Sequence, residues 1–485
     1  MISFSQIPAA LRYPGAYIEV DGSQAGLGGD LPSVLIVGQK LASGTAAAGE
    51  ITRVSSVADA QAKAGVGSML AQMVERYRAI DQVFDVYMLP YADNAAGVAA
   101  TGSITVTASP TASGVLSLYI AGRLVSVGVT SGQTTTQVAA SIATAVNADS
   151  AIVVSATSAL AVVTLTADHK GTCGNSIDVR LNLYGEAAPV GLTQTITAMT
   201  GGTGDPAPGA ISTIIGQRWF RYVALGINDA ATLAAWHAES QARYKPPVQA
   251  GFRAFAAFRG DYASAVTYGT AKNYEHISTL AMELNPTTTW EGAAMVAAAA
   301  APQLFNNPVE SLEGTPLPGM LGVTYHDWTN SNSLLFKGMS VMQTAKDGSC
   351  SIKRLISMYQ TRADGSTDDA YLDINAAEVM ERIRYEQRMG AIKRFTGTAA
   401  AKTNEGYRPG LRITTVDDVR AYLLSLYQNT LMREFGWVQE YGFYKDSLVV
   451  EQDPTNPSRF NYVDKPVVLS PFYILAGRAQ FRKAV

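Results

Sequence analysis

The chain alternates between two kinds of hydrophobic pattern, and the changes of pattern divide it. "PSVLIVG" (32–38) is a continuous apolar run, as expected of a strand covered on both faces. A helix is predicted over about 56–79, capped by Ser55 or Ser56, with Met69, Met73 and Tyr77 recurring every four residues. "FDVYMLPY" (84–91) is the next strand, and strand–helix–strand in this order predicts a parallel α/β unit. Residues 96–205 then become rich in Thr, Ser, Ala, Gly and Val and nearly free of charge. Six strand-like runs lie there, from "GSITVTA" to "IDVRLNLYG", with one helix at 136–148 and the glycine-rich linker "TGGTGDPAPG" at 200–209. The α/β pattern resumes with a strand at 221–229, a helix capped by Asn228 or Asp229, a strand at 253–260 and an alanine-rich helix that Pro302 should limit.

The last third is more charged and more helical. A helix near 374–394 carries Val379, Met380 and Ile383 on one side and Arg382, Arg384 and Arg388 elsewhere. These arginines are either a contact face for an acidic partner or a solvated face with pairs such as Glu378–Arg382. A second helix near 416–434 starts at Thr415, with Asp417 and Asp418 in its first turn, and its stripe is Val419, Tyr422, Leu423, Leu426 and Tyr427. The expected architecture is α/β and α+β, multidomain: an α/β core at 31–95 plus 206–340, an inserted β-rich domain at 96–205, and a C-terminal α+β domain at 341–466. Extended strand arms at 1–30 and 467–485 complete it.

The two ends carry strands with no neighbour in sequence. "AYIEV" (16–20) follows a Pro-Gly turn, and "SPFYILAGRAQFRKAV" ends the chain with Tyr473, Leu475, Ala479 and Phe481 alternating against Phe472 and Ile474. Backbone N–H and C=O groups of such strands need a partner. Either each end folds back as an edge strand of its own body, or it completes a sheet of another copy by β-augmentation. Under the second reading, apolar burial and the entropy of ordering an arm are of similar size. One arm would then be loose on an isolated subunit, and many arms in an array would lock one another.

Composition narrows the function classes. Charged residues are 16% and apolar residues 47%, which argues for ordered globular structure with large contact surfaces rather than disorder. A net charge of −3 points away from binding nucleic acid as a whole molecule. Two cysteines, Cys173 and Cys350, read as unpaired thiols of a reducing compartment. There is neither an export signal nor an apolar run of membrane-spanning length, so no membrane insertion is expected, and the protein is expected to stay in a cytosol or leave by lysis. His169, His237, His276 and His326 have no metal-ligand neighbours at helical spacing, and neither a phosphate loop nor a Gly-x-Ser-x-Gly elbow occurs. Asp364, Asp368, Asp369 and Asp373 cluster in "RADGSTDDAYLD", whose spacing fails the calcium loop and suits a solvated hairpin tip. The reading is therefore a non-enzyme without cofactor or metal.

The order of "YPGAYIEV", "PSVLIVG", "VGSMLAQMVERYRAIDQVFDVYMLPY", "TTVDDVRAYLLSLYQNTLMREFG" and "DPTNPSRFNYVDKPVVLSPFYILAGRAQFR" resembles the tail sheath proteins of contractile phage tails, most closely the Mu-like branch. That resemblance implies a virion tail protein, present in the host cytoplasm during assembly. It implies a homo-oligomer of hexameric rings stacked helically around a tail tube protein, with baseplate and tail terminator proteins as further partners, and contraction that drives the tube through the host envelope. It implies a C-terminal linking arm of Phe472, Tyr473, Ile474, Leu475, Ala479 and Phe481, and an N-terminal one of Tyr13, Ala16, Tyr17, Ile18 and Val20. Arg382, Arg384 and Arg388 are the expected tube-facing residues. The alternative is a virion-surface, host-binding structural protein in which 96–205 acts as an adhesin-like module.

Overall fold

The structure is a computed structural model that describes residues 32–322, 327–408 and 410–482. The chain enters a large sheet with β1 (Ser33–Gln39), β2 (Thr52–Val54) and β3 (Asp85–Tyr91). Val34 to Val37 are fully buried, as a strand covered on both faces requires. The predicted helix over 56–79 is two helices, α1 (Val57–Ala64) and α2 (Met69–Ile80), each with its own serine cap, Ser56 and Ser68. Gly65 and Gly67 lie between them at φ of 94° and 79°, a backbone that ends α1 and re-aims α2.

Seven strands follow β3: β4 (Ala99–Ala108), β5 (Gly114–Ile120), β6 (Arg123–Val129), β7 (Val154–Ala159), β8 (Val162–Lys170), β9 (Val179–Leu181) and β10 (Thr193–Thr200). They make a four-stranded sheet in the order β10-β4-β8-β7 and a three-stranded one in the order β6-β5-β9. Helix α3 (Thr135–Asn147), opened by a Thr134/Gln137 capping box, buries Val138, Ile142 and Val146. A bridge between Val98 and Thr203 closes the neck where the chain enters and leaves this module.

The chain then returns to the large sheet. After the short α4 (Ile211–Ile215) come β11 (Tyr222–Leu225), α5 (Ala230–Tyr244), β12 (Arg253–Phe258), α6 (Tyr262–Thr270), β13 (Ile277–Ala281), α7 (Thr289–Asn306), α8 (Trp328–Leu335), β14 (Ser340–Thr344) and β15 (Cys350–Arg354). Asp229, one of the two residues expected to do so, caps α5 through the N–H groups of Ala231 and Thr232. Among the described residues the sheet order is β15-β14-β13-β12-β11-β1-β3-β2, antiparallel only at its two outer pairs. Helix α7 is buried along most of its length, and its alanines let it approach the sheet closely. A Cβ on Gly292 would lie 2.3 Å from Met282 Sδ. Pro302 does not stop this helix, which runs on to Asn306. Burial of Leu304 and the edge-on contact of Phe305 with Phe84 compensate for the one hydrogen bond that proline removes.

The sequence division at 341 differs from the ladder, which places 340–354 in the large sheet. A second hydrophobic cluster forms further on, from α9 (Ile374–Phe395) and α10 (Val416–Ser425) with the π-helical turn Leu426–Glu434. Val379, Ile383, Val419, Tyr422, Leu423 and Tyr427 meet there, with Leu426 half-buried beside them, while Met380, expected on the side of Val379 and Ile383, is exposed. Thr415 and Asp418 form the capping box. The strands of this part are short pairs: β16 (Ala399–Ala400) with β17 (Ile413–Thr414), β18 (Val438–Gln439) with β21 (Val467–Val468), and β19 (Val449–Gln452) with β20 (Phe460–Val463), with α11 (Tyr441–Ser447) between β18 and β19.

Polar joints tie the parts together. The inserted strands meet the body through Arg123, paired with Glu75 at 3.2 Å, and through Asp178, held by Arg259 and Arg180. The last third meets the sheet at Glu378, 3% exposed and within 3.6–3.9 Å of Arg221, Arg253 and Arg382.

Candidate functional site: an unpaired C-terminal arm

The chain is held to its own body by backbone hydrogen bonds as far as Leu469, whose N–H donates to the Trp437 carbonyl at 2.9 Å. Beyond it, from Ser470 to Arg482, no residue joins a strand. Phe472, Ile474, Leu475 and Phe481 are 74%, 77%, 86% and 89% exposed, and Ala479 is exposed as well. Burying a side chain of this size stabilises by roughly 1.5–3 kcal/mol, so four of them on one short segment leave a large gain unrealised. The alternating strand read from the sequence thus has no partner among the described residues of this chain.

Tyr473 is the exception. Its hydroxyl donates to Asn375 Oδ1 at 3.4 Å, and the Arg354 guanidinium lies over its ring at 4.6 Å. Burial, then the nearby Asp373 carboxylate, push its phenol up to about 12. The periodicity had grouped Tyr473 with Leu475 and Phe481, but only Tyr473 turns inward. Arg354 and Asn375 were not singled out from the sequence: they lie about a hundred residues away, and no local pattern marks them. The N-terminal arm residues Tyr13, Ala16, Tyr17, Ile18 and Val20 lie outside the described residues.

The three helix arginines are largely spent within the chain. Arg382 donates to the Leu304 carbonyl at 3.2 Å, sits 3.6 Å from Glu378 and covers the Phe305 and Trp437 rings. Arg384 donates to the Tyr244 carbonyl at 2.7 Å and to both oxygens of Glu381 at 2.9 Å. Arg388 is half-buried beside Tyr385. The exposed cations lie further on: Lys393 and Arg394 in the last turn of α9, then Lys402, Arg408 and Arg412.

Edges that could take an added strand are unevenly distributed. The β15 edge of the large sheet is covered by 314–317: Gly314 and Leu317 donate to the Ile352 and Cys350 carbonyls, and Ile352 donates to that of Thr315. The pairs β18–β21 and β19–β20 are two-stranded, and ribbons of that size are marginal until a further strand joins them.

Titratable groups elsewhere are shifted by burial or held by neighbouring side chains. His276 is buried against Tyr244, and burial, then Arg253, hold its imidazole down at about 2. Burial pushes the Cys173 thiol up to about 12. Asp364 and Asp368 lie in an exposed turn bridged by Thr361 and Thr367, where Asp364 accepts from Ser366 and Asp368 from Tyr359 and Arg362. Among the described residues no three His, Cys, Asp or Glu side chains are grouped so as to hold a metal, and no helix is long and apolar enough to cross a membrane.

No protein-family model matches the chain. It is 34% identical over 486 residues to the Mu-like prophage FluMu tail sheath protein of Haemophilus influenzae, covering 99% of both chains. Among solved structures, a sheath tail protein of Desulfitobacterium hafniense is 15% identical with a TM-score of 0.46, over 94% of this chain and 100% of that one. The contracted helical sheath of the anti-feeding prophage is 12% identical with a TM-score of 0.47, over 97% and 99%. Likenesses that weak decide nothing by themselves. The Haemophilus relative, aligned over nearly the whole of both chains, places this chain in the Mu-like tail sheath protein family.

Proposed function

We propose that the chain is one subunit of a contractile tail sheath, and that 474–482 crosses to a neighbouring copy and adds a strand to it. The observation that carries this reading is the exposure of Phe472, Ile474, Leu475 and Phe481 on a segment with no strand partner of its own. A bare β-strand with large apolar side chains is an aggregation hazard in a protein that never uses it. It is useful where another copy supplies the edge. The short ribbons of the last third are the receiving edges we favour, since the β15 edge is already covered.

In this reading, copies form hexameric rings stacked around a tail tube, bounded by baseplate and terminator proteins, and assembled in the host cytoplasm. The arms keep subunits linked while their bodies rotate during contraction, so tube movement draws on energy stored in the array rather than on a catalysed reaction. The tube-facing surface then lies further along α9 than the sequence suggests. Arg382 and Arg384 are committed to this chain, so we assign it to Arg388 together with Lys393 and Arg394.

Negative-stain microscopy of purified full-length protein tests the arm. Wild-type protein should build tubes, and protein lacking 472–485 should remain dispersed and folded. Long tubes from the truncated chain would overturn the reading.

A further inference from the structure

The niche that receives Tyr473 is assembled from separate parts of the fold. Arg354 ends β15, Asn375 lies in the first turn of α9, and Ser311 and Glu313 come from the loop after α7. Asn375 is 1% exposed, and its amide group is already committed: Nδ2 donates to the carbonyls of Pro308 and Glu310, both at 2.8 Å. Its Oδ1 therefore has a set direction, and that oxygen accepts the Tyr473 hydroxyl. Arg354, which covers the ring, is in turn held by Asp373 at 3.0 Å. Both groups that receive Tyr473 are oriented by partners other than Tyr473. Such a seat is preorganised, and seating the ring costs little further ordering.

We propose that Tyr473 is the positioning residue of the arm: its seat sets where and in which direction 474–482 leaves the body. The inference rests on the reading of that segment as an intersubunit strand. Side chains of a strand alternate, so a fixed Tyr473 determines which face Ile474 and Leu475 present, and a slip of one residue would exchange the faces. Without the seat the arm would pivot from Leu469, the last of the described residues tied by a backbone hydrogen bond, and would sample more directions at lower effective concentration near a receiving edge. The seat also spans the end of β15 and the start of α9, so tension on the arm reaches the large sheet and the last third together, rather than the two-residue β18–β21 ladder alone.

The test compares wild-type protein with Tyr473→Ala, Tyr473→Phe and a chain ending at Tyr473. Readouts are the melting curve of the subunit and the protein concentration needed for tubes. Tyr473→Ala should melt within a few degrees of wild type, yet need roughly two- to tenfold more protein for half-maximal tube formation. Tyr473→Phe keeps the ring over Arg354 and should recover most of the loss. Tubes from Tyr473→Ala that match wild type, while the shortened chain makes none, overturn the positioning role and leave the arm reading intact. Tubes from the shortened chain overturn the arm reading, and the proposal with it. Should Tyr473→Ala fail to fold, Tyr473→Leu decides instead: it keeps apolar bulk but loses both the hydroxyl to Asn375 and the ring under Arg354, and tubes at the wild-type concentration overturn the seat.

Discussion

Met69, the first residue of α2, donates its backbone N–H to Nε2 of His169, 3.0 Å away across the joint between the inserted strands and the α/β body. Because Nε2 accepts, the ring proton sits on Nδ1, which faces Asp93 Oδ1 at 3.1 Å. Asp93 also accepts from Gln39 and from the Lys170 N–H. Burial pushes the Asp93 carboxyl up, but these bonds, His169 foremost, outweigh it and leave the carboxyl below its ordinary value. One imidazole thus satisfies a helix N-terminus and a half-buried carboxylate at once.

Replacing His169 with alanine should orphan the Met69 N–H and remove a partner of Asp93. An unsatisfied buried donor costs about 1–3 kcal/mol, so urea unfolding should show a loss of that size. Hydrogen exchange should locate it at the start of α2.

The joint at Glu378 should be more sensitive. Its carboxylate faces Arg221, Arg253 and Arg382 at 3.6–3.9 Å, and the Tyr222 hydroxyl lies 3.4 Å away. Glu378→Ala would leave buried guanidinium charge uncompensated, a change that typically costs about 3–5 kcal/mol. Chemical denaturation should show this loss, with proteolysis in the last third appearing before the large sheet unfolds. Unchanged stability would mean the arginines find other partners.

Asp168 gives a pH dependence of defined sign. Burial in the joint raises its carboxyl from an ordinary 3.8 to about 6. Since the folded value lies above the unfolded one, stability is lost as pH rises from about 4 through about 6, and the penalty is complete above that. Asp168→Asn removes the charge. The difference in melting temperature between variant and wild type should be near zero at pH 4 and favour the variant at pH 8. A difference that does not change with pH would contradict this account.

Leu475→Asp tests the arm without touching the body. Leu475 is 86% exposed, and surface substitutions of this kind usually stay within about 0.5 kcal/mol. The subunit should keep its melting temperature and lose the ability to form tubes. If tubes of normal length appear in the microscope, Leu475 is not at an interface between copies.

The surface assigned to the tube is basic, so attachment should be sensitive to ionic strength. Reversing Lys393 and Arg394 to glutamate, or raising salt, should release the tube while empty sheath still polymerises. Equal loss of both contacts would move the tube-facing surface elsewhere.

Much of this molecule could be read locally. The continuous apolar run of β1, the four-residue spacing of Met69, Met73 and Tyr77, the Thr415 cap and the alternation after Ser470 are each complete within a few residues, because the period of side-chain direction is a property of the strand or helix itself. What an alternating segment pairs with is a different matter. Whether 470–482 folds back or stands free depends on which edges are already covered, and residues 314–317 settle that for β15 from outside the strand's own sequence. The inward turn of Tyr473 depends on Asn375 and Arg354, and the withdrawal of Arg382 and Arg384 from the surface depends on Leu304 and Tyr244. Such choices rest on side chains brought together from distant segments, so no window of the sequence contains them until the chain has folded.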